Sequence, residues 1–349
     1  MIACLRAGCR RRLLAAGSLV LVMGAGAAAR GSEWTPEAQR QVRALTSAFN
    51  DPFRPAEDRA RMAERLLQLG EPGAAALASA VDTELARALP AYEEAFERSV
   101  AAFLRSETRE HAGAIREHRR TLQQLRQRRN LSREDITGAG DAALEALRRI
   151  LLPSASDVLG ADERLASARQ RIERLSGWKE AAHRILARAP VRVRQELEDR
   201  EREMAGVALY RVSRGEPVLR HNLRQKGELS EAEWAGVRET NLTRMLAGLN
   251  PLRIDPRLCV AARDHSKDMH TLNFFAHESP VAGKREFTDR ARRAGTSARA
   301  ENIFQGSTRG EAAVRGWWTS PGHHRSLMEP SHGFVGLGHH EGNWTQKLR

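Results

Sequence analysis

The hydrophobic rhythm of the chain changes near residue 239, and that change confines it to a helical part followed by a mixed one. Before it, apolar residues recur at intervals of three, four and seven, the period of amphipathic helices. After it, short helical stretches alternate with extended ones, punctuated by Gly and Pro. The fold class read from this pattern is α+β, with an all-helical N-terminal region.

The helical region is expected in two parts, residues 33–159 and 160–238. In residues 57–69, Met62, Leu66 and Leu69 share one face. Gly70-Glu71-Pro72-Gly73 breaks that helix, and residues 74–89 resume as a second, so the pair resembles one HEAT-like unit. Tyr92, Phe96, Val100, Phe103, Ile115, Leu122 and Leu125 then mark a long amphipathic helix. Ser132 with Asp135 starts another, residues 138–140 break it, and 153–159 read as a linker. Residues 165–203, with Ile172 and Leu175, are expected to pair with the long helix as a coiled-coil-like connector. That leaves residues 92–205 as a surface for a helical partner. His111, His118, His183 and His221 are isolated and read as surface residues.

With 349 residues, 41% hydrophobic and 29% charged, the chain can bury a sizeable core. Arg6, Arg10, Arg11 and Arg12 precede an apolar run at 13–23 and the small residues Ala27-Ala28-Ala29. This is the pattern of a secretory signal peptide over residues 1–29, and it implies export to the periplasm or the cell exterior. Retention of the segment as a membrane anchor is the alternative. Cleavage would remove Cys4 and Cys9 and leave Cys259 alone, so no intramolecular disulfide is expected. The formal charge is +13, from 57 basic and 44 acidic residues. Only five of the basic residues are lysines, and no compact basic block with interleaved aromatics follows the leader. No nucleic-acid partner is therefore expected.

Residues 239–349 hold eight of the twelve histidines: His265, His270, His277, His323, His324, His332, His339 and His340. Imidazole near carboxylate is the raw material of metal sites and of acid–base chemistry. Helices are read at 240–248, from Asp255-Pro256 to Leu272, at 287–294 and at 308–318. Glu301-Asn302-Ile303 reads as extended, and 333–339 and 344–348 as strands. His265 falls on the apolar stripe of Leu258, Ala262, Met269 and Leu272, where a core histidine is expected. His324, His339 and His340 are expected to be exposed.

Several linked motifs over these residues resemble the CAP superfamily (also called SCP or sperm-coating-protein-like) in its bacterial form. They are Asn250-Pro251-Leu252 with Asp255, His265-Ser266 and Asp268-Met269, and Phe275-Ala276-His277-Glu278-Ser279-Pro280. Asp289-Arg290, Glu301-Asn302-Ile303, Gly316-Trp317-Trp318, Ser320-Pro321-Gly322-His323, Gly336-Leu337-Gly338 and Trp344-Thr345-Gln346 follow in order. The resemblance implies an α-β-α sandwich around a small antiparallel sheet. It also implies a cleft of two histidines and two glutamates that binds a divalent metal such as zinc in some members. Carried over by motif, the ligands are His277, Glu301 and His323, with Ser279, Asn302, Trp318 and Ser320 lining the cleft. The family's second histidine falls at Asn343 and its second glutamate at Ser320. Two imidazoles and one carboxylate still form a ligand set for zinc with water. The chain continues past Trp344-Thr345-Gln346 only to Lys347-Leu348-Arg349, so a short or frayed last strand is expected.

Two functions follow from this reading. The first is an exported, non-enzymatic binding module whose cleft takes a metal, a lipid or another cell-envelope ligand. The second is a metal-dependent or Glu/His-assisted hydrolase of peptide or envelope polymer, with Glu301 and His323 as catalytic groups.

Overall fold

A computed structural model describes residues 35–189 and 192–349. The expected signal peptide and the residues just after it lie outside the described residues. The chain is mostly helical, with one small sheet near the C-terminus. The helices are α1 (Pro36–Asn50), α2 (Ala56–Gln68), α3 (Glu71–Glu110), α4 (Ala112–Gln127), α5 (Asp141–Leu151), α6 (Ala155–Gly160), α7 (Glu163–Ile185), α8 (Val193–Val212), α9 (Glu216–Gln225) and α10 (Glu231–Leu246). Then come β1 (Arg253–Ile254), α11 (Pro256–Thr271), α12 (Phe287–Arg293), β2 (Ala300–Gln305), α13 (Gly310–Thr319), α14 (Pro321–Leu327), β3 (Phe334–His340) and β4 (Asn343–Leu348).

Three helix boundaries differ from the sequence reading. Residue Pro90 does not end a helix: α3 runs forty residues through it, because Leu85, Tyr92 and Phe96 on either side are all buried in one core. The long helix breaks instead at His111, whose φ of −98° and ψ of 19° leave the helical region. Residues 153–159 are not a free linker, since Ser154 and Asp157 form a capping box that starts α6. The expected 165–203 helix is two helices, interrupted where Ala187 takes a φ of +48°. Ser132 does cap a helix start with Asp135, and residues Ile136–Gly140 form a π-helical turn leading into α5.

The hydrophobic cores do not follow the linear order of the chain. One core collects Val42, Phe49, Leu66, Phe96 and Leu104 with Val158, Ile172, Leu197 and Ala208. The other joins Ile115, Leu122, Ile136, Leu144 and Leu151 to Leu209, Trp234, Trp317, Val335 and Trp344. Residues 112–152 are thus built into the C-terminal body. Arg119 secures them by donating to the carbonyls of Leu246 (2.9 Å) and Met245 (3.2 Å) at the end of α10.

The sheet order is β1-β3-β4-β2, with β1 parallel to β3 and the other pairs antiparallel. It is therefore mixed, with one short parallel edge. Helix α11 starts at Asp255, whose side chain accepts from Arg257 N, and lays Leu258, Ala262, His265 and Met269 against β3 and β4. The contact is close enough that a Cβ on Gly338 would lie 2.1 Å from the Arg263 backbone nitrogen. Helices α10, α13 and α14 lie against the sheet as well. The last strand is not frayed. β4 pairs on both sides, all six of its residues are buried, and Arg349 exchanges backbone hydrogen bonds with Phe334.

Candidate functional site

Strand alternation decides which residues meet. In β2, Glu301 and Asn302 point to opposite faces of the sheet. The register places Glu301 opposite Lys347 and Asn302 opposite Gln346. On one face, Lys347 Nζ donates to Glu301 Oε2 at 2.5 Å. Arg290 of α12 donates through Nη2 to both Glu301 oxygens at 2.9 Å. His277 Nδ1 lies 3.1 Å from Oε1, and His265 of α11 stands behind at 3.9 Å. On the other face Asn302 Nδ2 donates to Gln346 Oε1 (2.9 Å), and Gln346 Nε2 donates to Thr240 Oγ1 (3.0 Å). β2 is an edge strand, so His277 and His323 approach each other around that edge, with ring centroids 5.9 Å apart.

The electrostatics follow from this packing. Burial would raise the Glu301 carboxyl, but the His277 hydrogen bond and the charges of Lys347 and Arg290 outweigh it and hold the group down at about 2. Burial pushes Lys347 down to about 8 against the pull of Glu301. Burial likewise pushes His265 down to about 4. His323 is lowered by its own burial and by the neighbouring His277. The side chains of Arg290, Lys347 and Glu301 are essentially inaccessible, whereas that of His277 is 49% exposed. Arg290 also donates to the carbonyls of His277, Lys284 and Arg285, so it ties the 277–285 loop to the sheet.

Zinc is the metal the resemblance suggests at His277, Glu301 and His323, and the arrangement does not fit it. A carboxylate offers about four lone-pair sites. At Glu301 they meet four contacts, two from Arg290 and one each from His277 and Lys347. A divalent ion would add to two buried cations around one carboxylate. Among the described residues, three donors do come within one ion's reach at Glu107, Glu110 and His111, a group on the helix surface remote in sequence from the site.

The other candidate residues divide. Ser279 is buried and accepts from Val281 N at 3.2 Å, so it shapes its own loop. Asn302 is fully buried within the Gln346–Thr240 chain. Ser320 caps the start of α14, its carbonyl accepting from His324 N at 2.7 Å. Trp318 is buried, and its indole N–H donates to Asp141 of α5. There Asp141, Arg148, Glu239, Arg315 and Trp318 line a hollow of about 430 Å³ between α5, α10 and α13. His324 is not exposed: it is fully buried, with Nδ1 2.9 Å from the Trp318 carbonyl. His265 is the core histidine that its stripe suggested. His221 joins α9 to β1 through the Ile254 carbonyl at 2.9 Å. The sequence reading missed Arg290, Lys347 and Asp141. Lys347 was within reach of it, because pairing 301–303 with 344–348 puts Glu301 opposite Lys347.

Residues 237–348 match the family model described as the Cysteine-rich secretory protein family, CAP. The uncharacterized protein YkwD of Bacillus subtilis (strain 168) is 36% identical over 113 residues, covering 31% of this chain and 43% of that protein. The uncharacterized membrane protein YlbC of the same organism is 29% identical over 142 residues, covering 38% of this chain and 41% of that protein. Among solved structures, an extracellular protein containing a SCP domain from Bacillus anthracis str. Ames is 30% identical, with a TM-score of 0.32. That match covers 35% of this chain and 40% of the other. The chain thus spans about two-fifths of the length of the relatives it matches. Among the described residues no helix is long and apolar enough to cross a membrane. The motif order, the sheet with its flanking helices and the family match agree: the C-terminal part of this chain is a CAP domain.

Proposed function

We propose that this chain is an exported CAP-domain binding protein, whose His277–His323 edge takes a polar cell-envelope ligand without turning it over. The observation that carries the reading is the state of Glu301. A carboxylate buried under two cations is poorly placed to act as base or metal ligand, and it leaves the imidazoles as the groups that meet solvent. Glu301 is better suited to orienting His277. When Nδ1–H points to the carboxylate, Nε2 is the free acceptor.

The test is a titration of the full-length protein with soluble peptidoglycan fragments and, separately, with Zn2+, alongside a turnover assay on both peptide and envelope polymer. The reading expects fragment binding that weakens at least ~tenfold in His277→Ala and His323→Ala, an effect of one lost hydrogen-bonding anchor. It expects no micromolar zinc affinity and no turnover. Micromolar zinc binding that vanishes in both variants overturns it, and so does fragment binding indifferent to both.

One observation favours a second reading as a hydrolase. An imidazole oriented by a buried carboxylate, with a second imidazole 5.9 Å away, has the parts of an acid–base pair. In that reading His277 and His323 handle protons and Glu301 positions His277. Turnover abolished by His277→Ala would establish it.

A further inference from the structure

The outer face of α3–α4 carries an arginine stripe that the CAP site does not use. Arg98, Arg105, Arg109, Arg116 and Arg120 are spaced seven, four, seven and four residues apart, and all five are exposed. At 3.6 residues per turn these spacings fall within about 60° of one another around a helix axis. Across the break at His111, His111 N still bonds Glu107 O (2.8 Å) and Ile115 N bonds His111 O (2.9 Å), so the two helices follow one another directly, although Leu104 and Ile115 on either side are buried in different cores. From Arg98 to Arg120 the stripe is therefore about 33 Å long at 1.5 Å per residue.

The alignment of these arginines, rather than a lack of acid partners, sets the stripe apart. On several other exposed helical faces arginines meet acids one turn away, as in Arg40–Glu37 (2.5 Å), Arg149–Glu145 (3.5 Å) and Arg292–Asp289 (2.9 Å), while Arg43, Arg174, Arg224 and Arg293 stand singly without one. On the stripe only Arg98 meets such an acid, Glu94 at 4.0 Å. The other four have no carboxylate within ion-pair reach among the described residues. Directly between them stand Ala102, Ala112 and Gly113, with the exposed acids Glu110 and Glu117 flanking the line and no large apolar or aromatic side chain on it. Five like charges in single file repel one another unless an anion joins them.

We propose that this stripe is a docking line for an extended polyanion bearing phosphate groups. The partner class follows from the shape and the chemistry. Guanidinium groups favour bidentate contact with phosphate. A single file of charges matches a chain of anions laid along the helix. The lack of aromatic side chains removes base stacking, and the lack of bulky apolar ones removes insertion into a bilayer.

The test measures binding of the full-length protein to long-chain inorganic polyphosphate by fluorescence anisotropy, over a salt series. Affinity is expected to fall roughly 50-fold between about 50 and 200 mM salt, as counterion release by four or five cations requires. The variant Arg105→Gln, Arg109→Gln, Arg116→Gln, Arg120→Gln is expected to bind at least ~tenfold more weakly with a shallower salt slope. A control removes the same charge from four other helices, Arg43→Gln, Arg174→Gln, Arg224→Gln, Arg293→Gln, and is expected to bind like wild type. All eight positions are exposed, and matched melting curves confirm folding. Equal losses in the two variants would reduce the effect to net charge and overturn the proposal. So would wild-type protein that ignores polyphosphate, or that binds only phosphatidylglycerol vesicles.

Discussion

The Trp318 indole N–H donates to the Asp141 carboxylate at 2.7 Å, across 177 positions of sequence. Arg315 grips the same carboxylate with both terminal nitrogens, at 2.7 and 2.5 Å. One acid at the start of α5 thus holds the helix that leads into the Ser320-Pro321-Gly322-His323 turn.

Replacement of Asp141 by Ala leaves a buried indole N–H and a guanidinium without their acceptor. The expected cost is about 2 kcal/mol. Denaturant unfolding reads the loss, and hydrogen exchange is expected to rise in residues 112–152 and around Trp318. A variant with wild-type stability and exchange would show that the junction rests on its apolar contacts alone.

Glu301→Gln leaves Arg290 and Lys347 buried without a counter-charge. Breaking a buried pair in this way costs about 3–5 kcal/mol. The double change Glu301→Gln, Lys347→Met removes one of the stranded cations and is expected to recover part of that loss. Thermal melts of the single and double variants decide it, and equal melting points would contradict the charge argument.

Acid sensitivity is expected to centre on His265. Its Nε2 faces the Ala276 carbonyl at 3.1 Å, while its Nδ1 is buried without a partner, so the added proton has no acceptor. Burial lowers this group to about 4 against the pull of Glu301, with Arg290 and Lys347 adding to the fall. An unfolded histidine titrates near ~6.5. Between these values the unfolded chain binds more protons, so stability is complete above ~6.5 and drains away as pH falls toward 4. His323, His324, His332 and His339 are lowered too and steepen the same slope. Unfolding free energy measured from pH 7 to 4 should lose up to about 1.4 kcal/mol less per pH unit in His265→Gln than in wild type. Parallel curves would remove His265 from the account.

Gly338→Ala places a methyl group 2.1 Å from the Arg263 backbone nitrogen, where a helix sits directly on the strand. Overpacking of this kind costs about 3 kcal/mol, because backbone cannot step aside. Gly322→Ala has nothing within 4 Å and serves as the matched control, expected to be neutral. Soluble yield and melting temperature separate the two.

The sequence told most where short-range signals and long-range packing agreed. Asp255-Pro256 starts a helix by local chemistry alone, and the 258–269 stripe declares its buried side, so α11 and the core role of His265 were both legible. Gly70-Glu71-Pro72-Gly73 suggested the start of α3 equally well, but Pro90 gave a false stop, because burial on both sides outweighs one missing backbone bond. His324 looked exposed since nothing local says that Trp318 will fold over it. The partners of Glu301 were hidden for a related reason. Arg290 and Lys347 lie on separate elements, and only strand register and helix docking bring them to one carboxylate. The allotment of residues 112–152 to the C-terminal body lay beyond a linear reading, because a helix pattern does not name the core it serves.

That allotment has a mechanical consequence. The chain passes between its two bodies three times: from α3 into α4, across 152–155, and within α8 between Ala208 and Leu209. The passage within α8 is continuous helix, and the one from α3 into α4 is a single-residue turn at His111. A body held by a single linker swivels, whereas one held at three places has no free axis left. The arginine-bearing helices are thus joined to the body that contains the CAP domain by three crossings of the chain rather than one.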